Sequence, residues 1–275
     1  MTIIGKRHRL MARASAVVLV IIAAKLAIHA AGWEALSINA LFSGIVAANV
    51  FLMGFLLSGV MSDYKESERL PGEFATSLEN LAEDVRGIAL VRPDAPAGAC
   101  LALLGDIGRD TLAWLYKKHR TGALLDHVNA LTVHFAALEP CTQPAFIVRL
   151  KHEQGNLRRI VMRIHTIRET SFVASGYLLA DAITVLLCLG LVLARIEPFY
   201  ESLFFVGVIS YVMVFLLLLI RDLDNPFGYY ENGSAEDVSL KPIVEAAGRL
   251  RAMAAESAGA ARIETVEPAE SQPSR

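Results

Sequence analysis

The sequence predicts an all-α membrane protein with four transmembrane helices in two hairpins and a helical cytoplasmic domain. The chain has 275 residues, of which 54% are hydrophobic and 20% charged. Soluble domains average about 45–50% apolar and about 25% charged residues. The apolar excess lies in four stretches, each long enough to cross a hydrocarbon core of about 30 Å as a helix of roughly 17–25 residues. No useful length of sequence alternates as a strand does, so we expect helices throughout.

The N-terminal hairpin is predicted to comprise residues 1–61, with spans at 14–31 and 38–61. Basic side chains precede the first span, as they do in a signal peptide. Lys25 interrupts the apolar run, however, and the second span follows at once. We therefore expect the first span to be retained as a transmembrane helix.

A helical cytoplasmic region is predicted for residues 62–171. The second span continues past the membrane to about residue 90, with a kink expected at Pro71. A long basic helix follows over about 145–168. Apolar residues recur at spacings of three and four in these segments, which indicates helices packed on one another.

The C-terminal hairpin is predicted for residues 172–220, with spans at 172–194 and 203–220. A cytoplasmic C-terminal segment, residues 221–263, contains a short amphipathic helix. The tail, 264–275, is rich in Glu, Pro and Ser, a composition typical of disorder.

Basic residues near the spans predict the orientation. Positive charge accumulates on cytoplasmic flanks. The link at 32–37 has no Lys or Arg, and the second link has only Arg195. The N-terminus, in contrast, is basic, and so are the flanks of the spans at Lys65, Arg69, Arg163, Arg168 and Arg221. We expect an integral membrane protein with both termini in the cytoplasm.

Charge and motifs exclude other functional classes. The net charge of −2 lacks the basic excess of nucleic-acid-binding proteins. The three cysteines are too scattered for a disulfide framework or a zinc site. The sequence has no phosphate-binding loop, no metalloprotease motif and no nucleophile elbow. We therefore expect neither an enzyme nor a bound cofactor or metal.

Three ionisable residues, Lys25, His29 and Asp181, fall within predicted spans, where charges are costly and usually paired or functional. At a rise of about 1.5 Å per residue, Lys25 lies about 17 Å and Asp181 about 14 Å from the cytoplasmic ends of their helices. An ion pair between them is possible. Alternatively, Lys25 extends outward past His29 toward water.

The second span is uncharged, yet it is rich in small, aromatic and weakly polar residues. Ala47, Phe51 and Phe55 are spaced by four and share one helix face. A ring of such apolar side chains can constrict a pore and gate it by dewetting. By spacing alone, the better-supported alternative is that the two phenylalanines face lipid or the bundle core.

Two sequence motifs carry a resemblance to a known family. Residues 50–58 read Val-Phe-Leu-Met-Gly-Phe-Leu-Leu-Ser and are followed by Glu-Arg-Leu-Pro at 68–71. Residues 225–228 read Asn-Pro-Phe-Gly, just after the last span. Together with the layout of two hairpins, these motifs resemble bestrophins, whose second and last spans carry similar motifs in the same places.

The resemblance implies a bestrophin-like bacterial inner-membrane protein: a homopentamer whose second spans line a central pore for chloride or other small anions. By motif match, Ala47, Phe51 and Phe55 form the pore neck. The family usually has a bulkier residue at the position of Ala47, which implies a wider outer end of the neck here. Ile160 and Ile164 are the candidates for a second, cytoplasmic constriction. The expected partners are other copies of the chain, the lipid bilayer and small anions.

Two departures from the family pattern keep another function open. Animal bestrophins follow the Asn-Pro-Phe-Gly motif with a dense acidic cluster that binds calcium, whereas residues 229–237 here hold only three spread acids. Calcium usually takes six to eight oxygen ligands, so calcium gating is not predicted. With the small Ala47, this favours an alternative: a non-conducting, membrane-anchored helical protein with an interaction or regulatory role.

Overall fold

A computed structural model describes residues 3–170, 174–229 and 237–264 of the chain. Within these residues the fold is helical, apart from one pair of two-residue strands. The elements follow in the order α1 (Ile3–Ala30), β1 (Leu36–Ser37), α2 (Ala40–Val91), α3 (Ala97–Leu115), α4 (Thr121–Leu138), a 3-10 turn (Glu139–Cys141), α5 (Pro144–Glu169), α6 (Ala174–Leu193), β2 (Ala194–Arg195), α7 (Phe199–Leu223) and α8 (Lys241–Glu264).

The chain forms two compact units. The first comprises Met1–Glu66 and Ile167–Val238, and the second Ser67–Thr166 and Ser239–Arg275. Helix α2 is continuous over 52 residues and contains Pro71. The helix therefore does not end at the position where the sequence predicts a kink.

The first unit carries the membrane-spanning helices. In the described part of the chain, four helices are long and apolar enough to cross a membrane, and they include α1, α6, α7 and the first part of α2. This confirms the predicted all-α membrane fold and an integral membrane protein. Helix α7 packs on α1 and α6. The core of this unit joins apolar side chains of α2, α6 and α7: Met53, Leu56, Val60, Ala180, Leu187, Met213, Ile220 and Leu223.

The two short links lie side by side at one end of the first unit, which we call the loop end. Strands β1 and β2 pair in parallel there, with Leu36 opposite Ala194 and Ser37 opposite Arg195. Helix α2 begins next to this pair because the Asn39 side chain caps it, with Oδ1 accepting a hydrogen bond of 3.0 Å from the Phe42 amide.

The second unit is a separate helical body. The predicted apolar stripe of α2 is fully or nearly fully buried there, as shown by Leu78 and Val85. Helix α3 packs closely on α8, since a Cβ atom on Gly108 would lie only 3.0 Å from the Ala247 Cβ. Helix α8 extends to Glu264, well beyond the short helix that the sequence predicts. The tail predicted to be disordered falls, from residue 265 on, outside the described residues.

Candidate pore helix

The membrane part of α2 has one side fixed in the core of its own unit. Met53, Leu56 and Val60 are buried at spacings of three and four. Asn49 is also buried, and its Nδ2 donates a hydrogen bond of 3.2 Å to the Thr184 hydroxyl of α6. A buried amide needs a partner in an apolar region, so this bond and the packed side chains set the rotation of α2 about its axis.

The opposite side of α2 presents the predicted neck residues. The exposed fractions of Phe51 and Phe55 are 79% and 60%, and Ala47 is exposed as well. The three residues lie on one line, as the spacing of four predicts. Within the chain, the two phenylalanines therefore do not belong to the bundle core, which removes one of the two structural alternatives.

The exposed side of α2 differs from the exposed side of α6. Next to the two phenylalanines, α2 exposes the aliphatic residues Leu41, Ile45 and Val50 and a larger set of small and hydroxyl-bearing residues: Ser43, Gly44, Ala47, Ala48, Gly54 and Ser58. Helix α6 instead exposes large aliphatic residues: Leu178, Leu179, Val185, Leu186 and Leu189. A uniformly aliphatic surface suits lipid, whereas small residues allow helices to approach closely. The exposed side of α2 is thus richer in small residues than that of α6, which favours a protein-facing or pore-facing side.

The candidate second constriction is not on such a surface. Ile160 and Ile164 lie in α5, and both are buried, with Ile164 fully so. They belong to the apolar core of the second unit because α5 directs this face toward its neighbours. This burial within one subunit does not support a place for either side chain in a shared pore, and we propose no constriction at these residues.

The proposed pair of Lys25 and Asp181 is corrected. Lys25 is fully buried, and its Nζ donates a hydrogen bond of 2.6 Å to Glu34 Oε1 and bonds to the carbonyl of Ala194. Asp181 instead accepts a hydrogen bond from Arg221 of α7. Asp181 lies twelve residues before the end of α6, or about 18 Å along the helix, whereas Lys25 points to the loop end.

Lys25 belongs to a polar group that we call the loop-end cluster, formed by Lys25, His29 and Glu34. Glu34 Oε2 lies 3.2 Å from His29 Nδ1, and the His29 ring stacks on Phe199 with 3.6 Å between ring centroids. The carbonyls at the end of α6 carry partial negative charge, which favours a cation. The cluster therefore ties the link before α2 to the end of α6.

Sequence reasoning missed Glu34, although a signal for it was present. It is the only ionisable residue between α1 and α2, nine positions after Lys25. The hydrogen bond from Lys25 is the main cause that lowers the pKa of the Glu34 carboxyl below its usual value of 4.5.

This shift predicts an acid-sensitive contribution to stability. A carboxyl with a lowered folded-state pKa stabilises the fold fully above its unfolded pKa, and this contribution disappears as the pH falls through the folded value. We expect the difference in unfolding midpoint between the wild type and Glu34→Gln to be constant near neutral pH and to shrink in acid. Thermal unfolding in detergent at several pH values measures it. A difference that grows below pH 4.5 would contradict the assignment.

The Asn-Pro-Phe-Gly motif forms a closed turn after α7. The Gly228 amide donates a 3.2 Å hydrogen bond to the Asn225 carbonyl, and a Cβ on Gly228 would lie 2.8 Å from Asn225 Nδ2. Phe227 is fully buried, and the Val238 amide donates a 3.1 Å hydrogen bond to the Pro226 carbonyl. The motif thus fixes the chain that leaves the last span.

Most of the residues that would correspond to the family's calcium site, 230–236, lie outside the described part. Among the residues that the structure does describe, no group of three or more His, Cys, Asp or Glu side chains is placed to hold a metal ion.

The fold has counterparts among solved structures. A variant of a bacterial bestrophin homolog from Klebsiella pneumoniae matches with a TM-score of 0.73 and 18% identity, over 86% of this chain and 96% of that chain. Another structure of a bestrophin homolog from the same organism matches with a TM-score of 0.72 and 17% identity, over 91% and 99% of the two chains. No family model matches the sequence, and no curated protein matches it either. The chain therefore has the fold of the bacterial bestrophin homologs, over nearly their whole length.

Proposed function

From this shared fold, we propose that the chain forms a homopentameric channel through which chloride or other small anions pass passively. Helix α2 of each subunit lines a central pore, and Ala47, Phe51 and Phe55 form its neck. The channel lies in the bacterial inner membrane with both termini in the cytoplasm.

The observation that carries this proposal is the exposed side of α2. Its opposite side is fixed in the subunit core, so Phe51 and Phe55 must face something outside the subunit. The small and hydroxyl-bearing neighbours of these rings favour a pore over lipid. Five copies around one axis bring the rings together as an apolar constriction, which can gate by dewetting.

The chemistry of this surface suits an anion. The membrane part of α2 has no acidic side chain before Asp63, so no negative charge on the pore helix repels an anion there. The edges of phenylalanine rings carry partial positive charge. An anion that has lost part of its hydration shell can therefore lie against the ring edges at the neck.

Single-channel recording tests the proposal. Purified protein in planar bilayers is expected to give anion-selective current, and Phe55→Ala is expected to change the unitary conductance several-fold, because it widens an apolar constriction. Phe204→Ala is the matched control, since Phe204 of α7 has a similar exposed fraction of 64%.

Three results would contradict the proposal. They are cation selectivity, no conductance from an intact pentamer, and equal effects of the two alanine variants. Equal effects would place Phe55 in lipid, as Phe204 is expected to be.

The small side chain of Ala47 favours a second candidate, a non-conducting membrane-anchored interaction or regulatory protein. With a small residue there, the exposed side of α2 can pack against a helix of a partner. The mass of the particle in mild detergent separates the two candidates. A monomer or dimer has no central pore and supports the second.

A further inference from the structure

A pocket of about 500 Å³ opens at the loop end of the first unit. Its walls come from the start of α2, the end of α6 and the start of α7, and they include Phe42, Val46 and Ile209. Gly190 of α6 makes room for one wall, because a Cβ there would lie 2.8 Å from the Phe42 ring. The pocket is thus built by close packing of the spans, and apolar side chains form most of its lining.

The pocket also has polar lining residues, which lie on the two links and at the start of α2. Arg195 of β2 is the only charged residue in the lining, and Ser37 and Ser43 supply hydroxyl groups. The guanidinium of Arg195 has five N–H donors in a planar arrangement that matches a phosphate. The site therefore combines an apolar cavity with a cationic group beside it.

This arrangement lies at a particular level of the membrane. The apolar walls belong to membrane-spanning helices, whereas Arg195 and Ser37 lie on the links just beyond their ends. Hydrocarbon gives way to lipid headgroups at this level, and long basic side chains usually keep their charged ends there. In a bilayer, we therefore expect acyl chains next to the apolar walls and lipid phosphates at the level of the arginine.

We propose that the pocket binds an anionic phospholipid. One acyl chain lies in the cavity against Phe42, Val46 and Ile209, and the phosphate accepts hydrogen bonds from Arg195. This assignment uses only the first unit of one chain and does not depend on ion conduction.

Glu197 competes with the lipid for the same arginine. Arg195 Nε donates a hydrogen bond of 2.9 Å to Glu197 Oε1, and both side chains are exposed. An exposed ion pair of this kind contributes little to stability, so a phosphate can replace the carboxylate at a small cost in free energy. Removing Glu197 should therefore strengthen lipid binding, while removing Arg195 should weaken it.

Native mass spectrometry of the purified full-length protein tests whether the two substitutions change lipid binding in opposite directions. With phosphatidylglycerol and phosphatidylcholine added at equal concentration, we expect preferential retention of phosphatidylglycerol. Arg195→Gln is expected to reduce that preference about tenfold, corresponding to the loss of one charge-assisted contact, whereas Glu197→Gln raises it several-fold. Arg109→Gln is the control, because Arg109 also forms an exposed ion pair, with Asp106 of α3, and should leave the preference unchanged.

A variant that fills the cavity from α7, Ile209→Trp, is expected to reduce retention of both lipids while Arg195 is intact. Equal retention of the two lipids by the wild type would overturn the proposal. A change of the lipid preference in the same direction in Arg195→Gln and Glu197→Gln would also overturn it, because the ion pair would then have only a structural role. Efficient disulfide crosslinking between subunits through Ile209→Cys would also overturn it, because a second copy of the chain would then lie at the pocket.

Discussion

Glu34→Gln is expected to destabilise the first unit by about 3–5 kcal/mol, the usual cost of breaking a buried ion pair by removing one partner. The ammonium of Lys25 is fully buried, and in the variant its acceptors are the neutral side-chain amide oxygen of the glutamine and the carbonyls of Val192 and Ala194. These carbonyls carry partial charges that cannot replace a carboxylate. The free energy of unfolding, measured by denaturant titration in mixed micelles, gives the effect.

The variant that removes the other partner of the ion pair, Lys25→Met, is expected to lower the free energy of unfolding by less than Glu34→Gln does. Methionine fills a similar volume with apolar atoms, and the Glu34 carboxylate that remains is 12% exposed and still contacts His29. The double variant should be more stable than Glu34→Gln alone, because replacing both partners removes the unpaired charge. The coupling free energy from the four proteins isolates the pair. Additive effects of the two substitutions would contradict a stabilising ion pair.

Phe227→Ala is the second substitution with a large expected effect. Truncating a fully buried phenylalanine costs about 3–5 kcal/mol through lost burial and the cavity that remains. Phe227 is fully buried in the turn that follows α7, so we expect a loss of this size in the unfolding free energy, measured in the same mixed micelles.

Two controls distinguish this effect from the general loss of a phenylalanine. Phe227→Leu should cost much less because most of the buried volume is kept. Phe204→Ala should change stability little, since Phe204 is 64% exposed on a membrane-spanning helix. If Phe227→Ala matched Phe204→Ala, the motif would have no structural role in this turn.

The sequence alone determined the membrane class and the arrangement of the helices. Long uncharged runs such as residues 38–61 have few alternatives to a spanning helix, because the bilayer satisfies no backbone hydrogen bonds. The spacing of Ala47, Phe51 and Phe55 likewise placed them on one face, because helix geometry depends only on local structure. The resemblance through residues 50–58 and 225–228 agreed with the fold found.

Only the tertiary structure decided which way each face and each long side chain points. The same three-and-four spacing exposes Phe51 and Phe55 but buries Ile160 and Ile164, because the difference lies in the neighbouring helices. Lys25 had potential partners in two directions along its helix. In the structure it bonds to the Glu34 carboxylate and to the carbonyls at the end of α6. Electrostatic attraction and hydrogen bonding act over a few ångströms, so only groups this close can be its partners. Helix depth, counted from the sequence, cannot show which groups come within that distance.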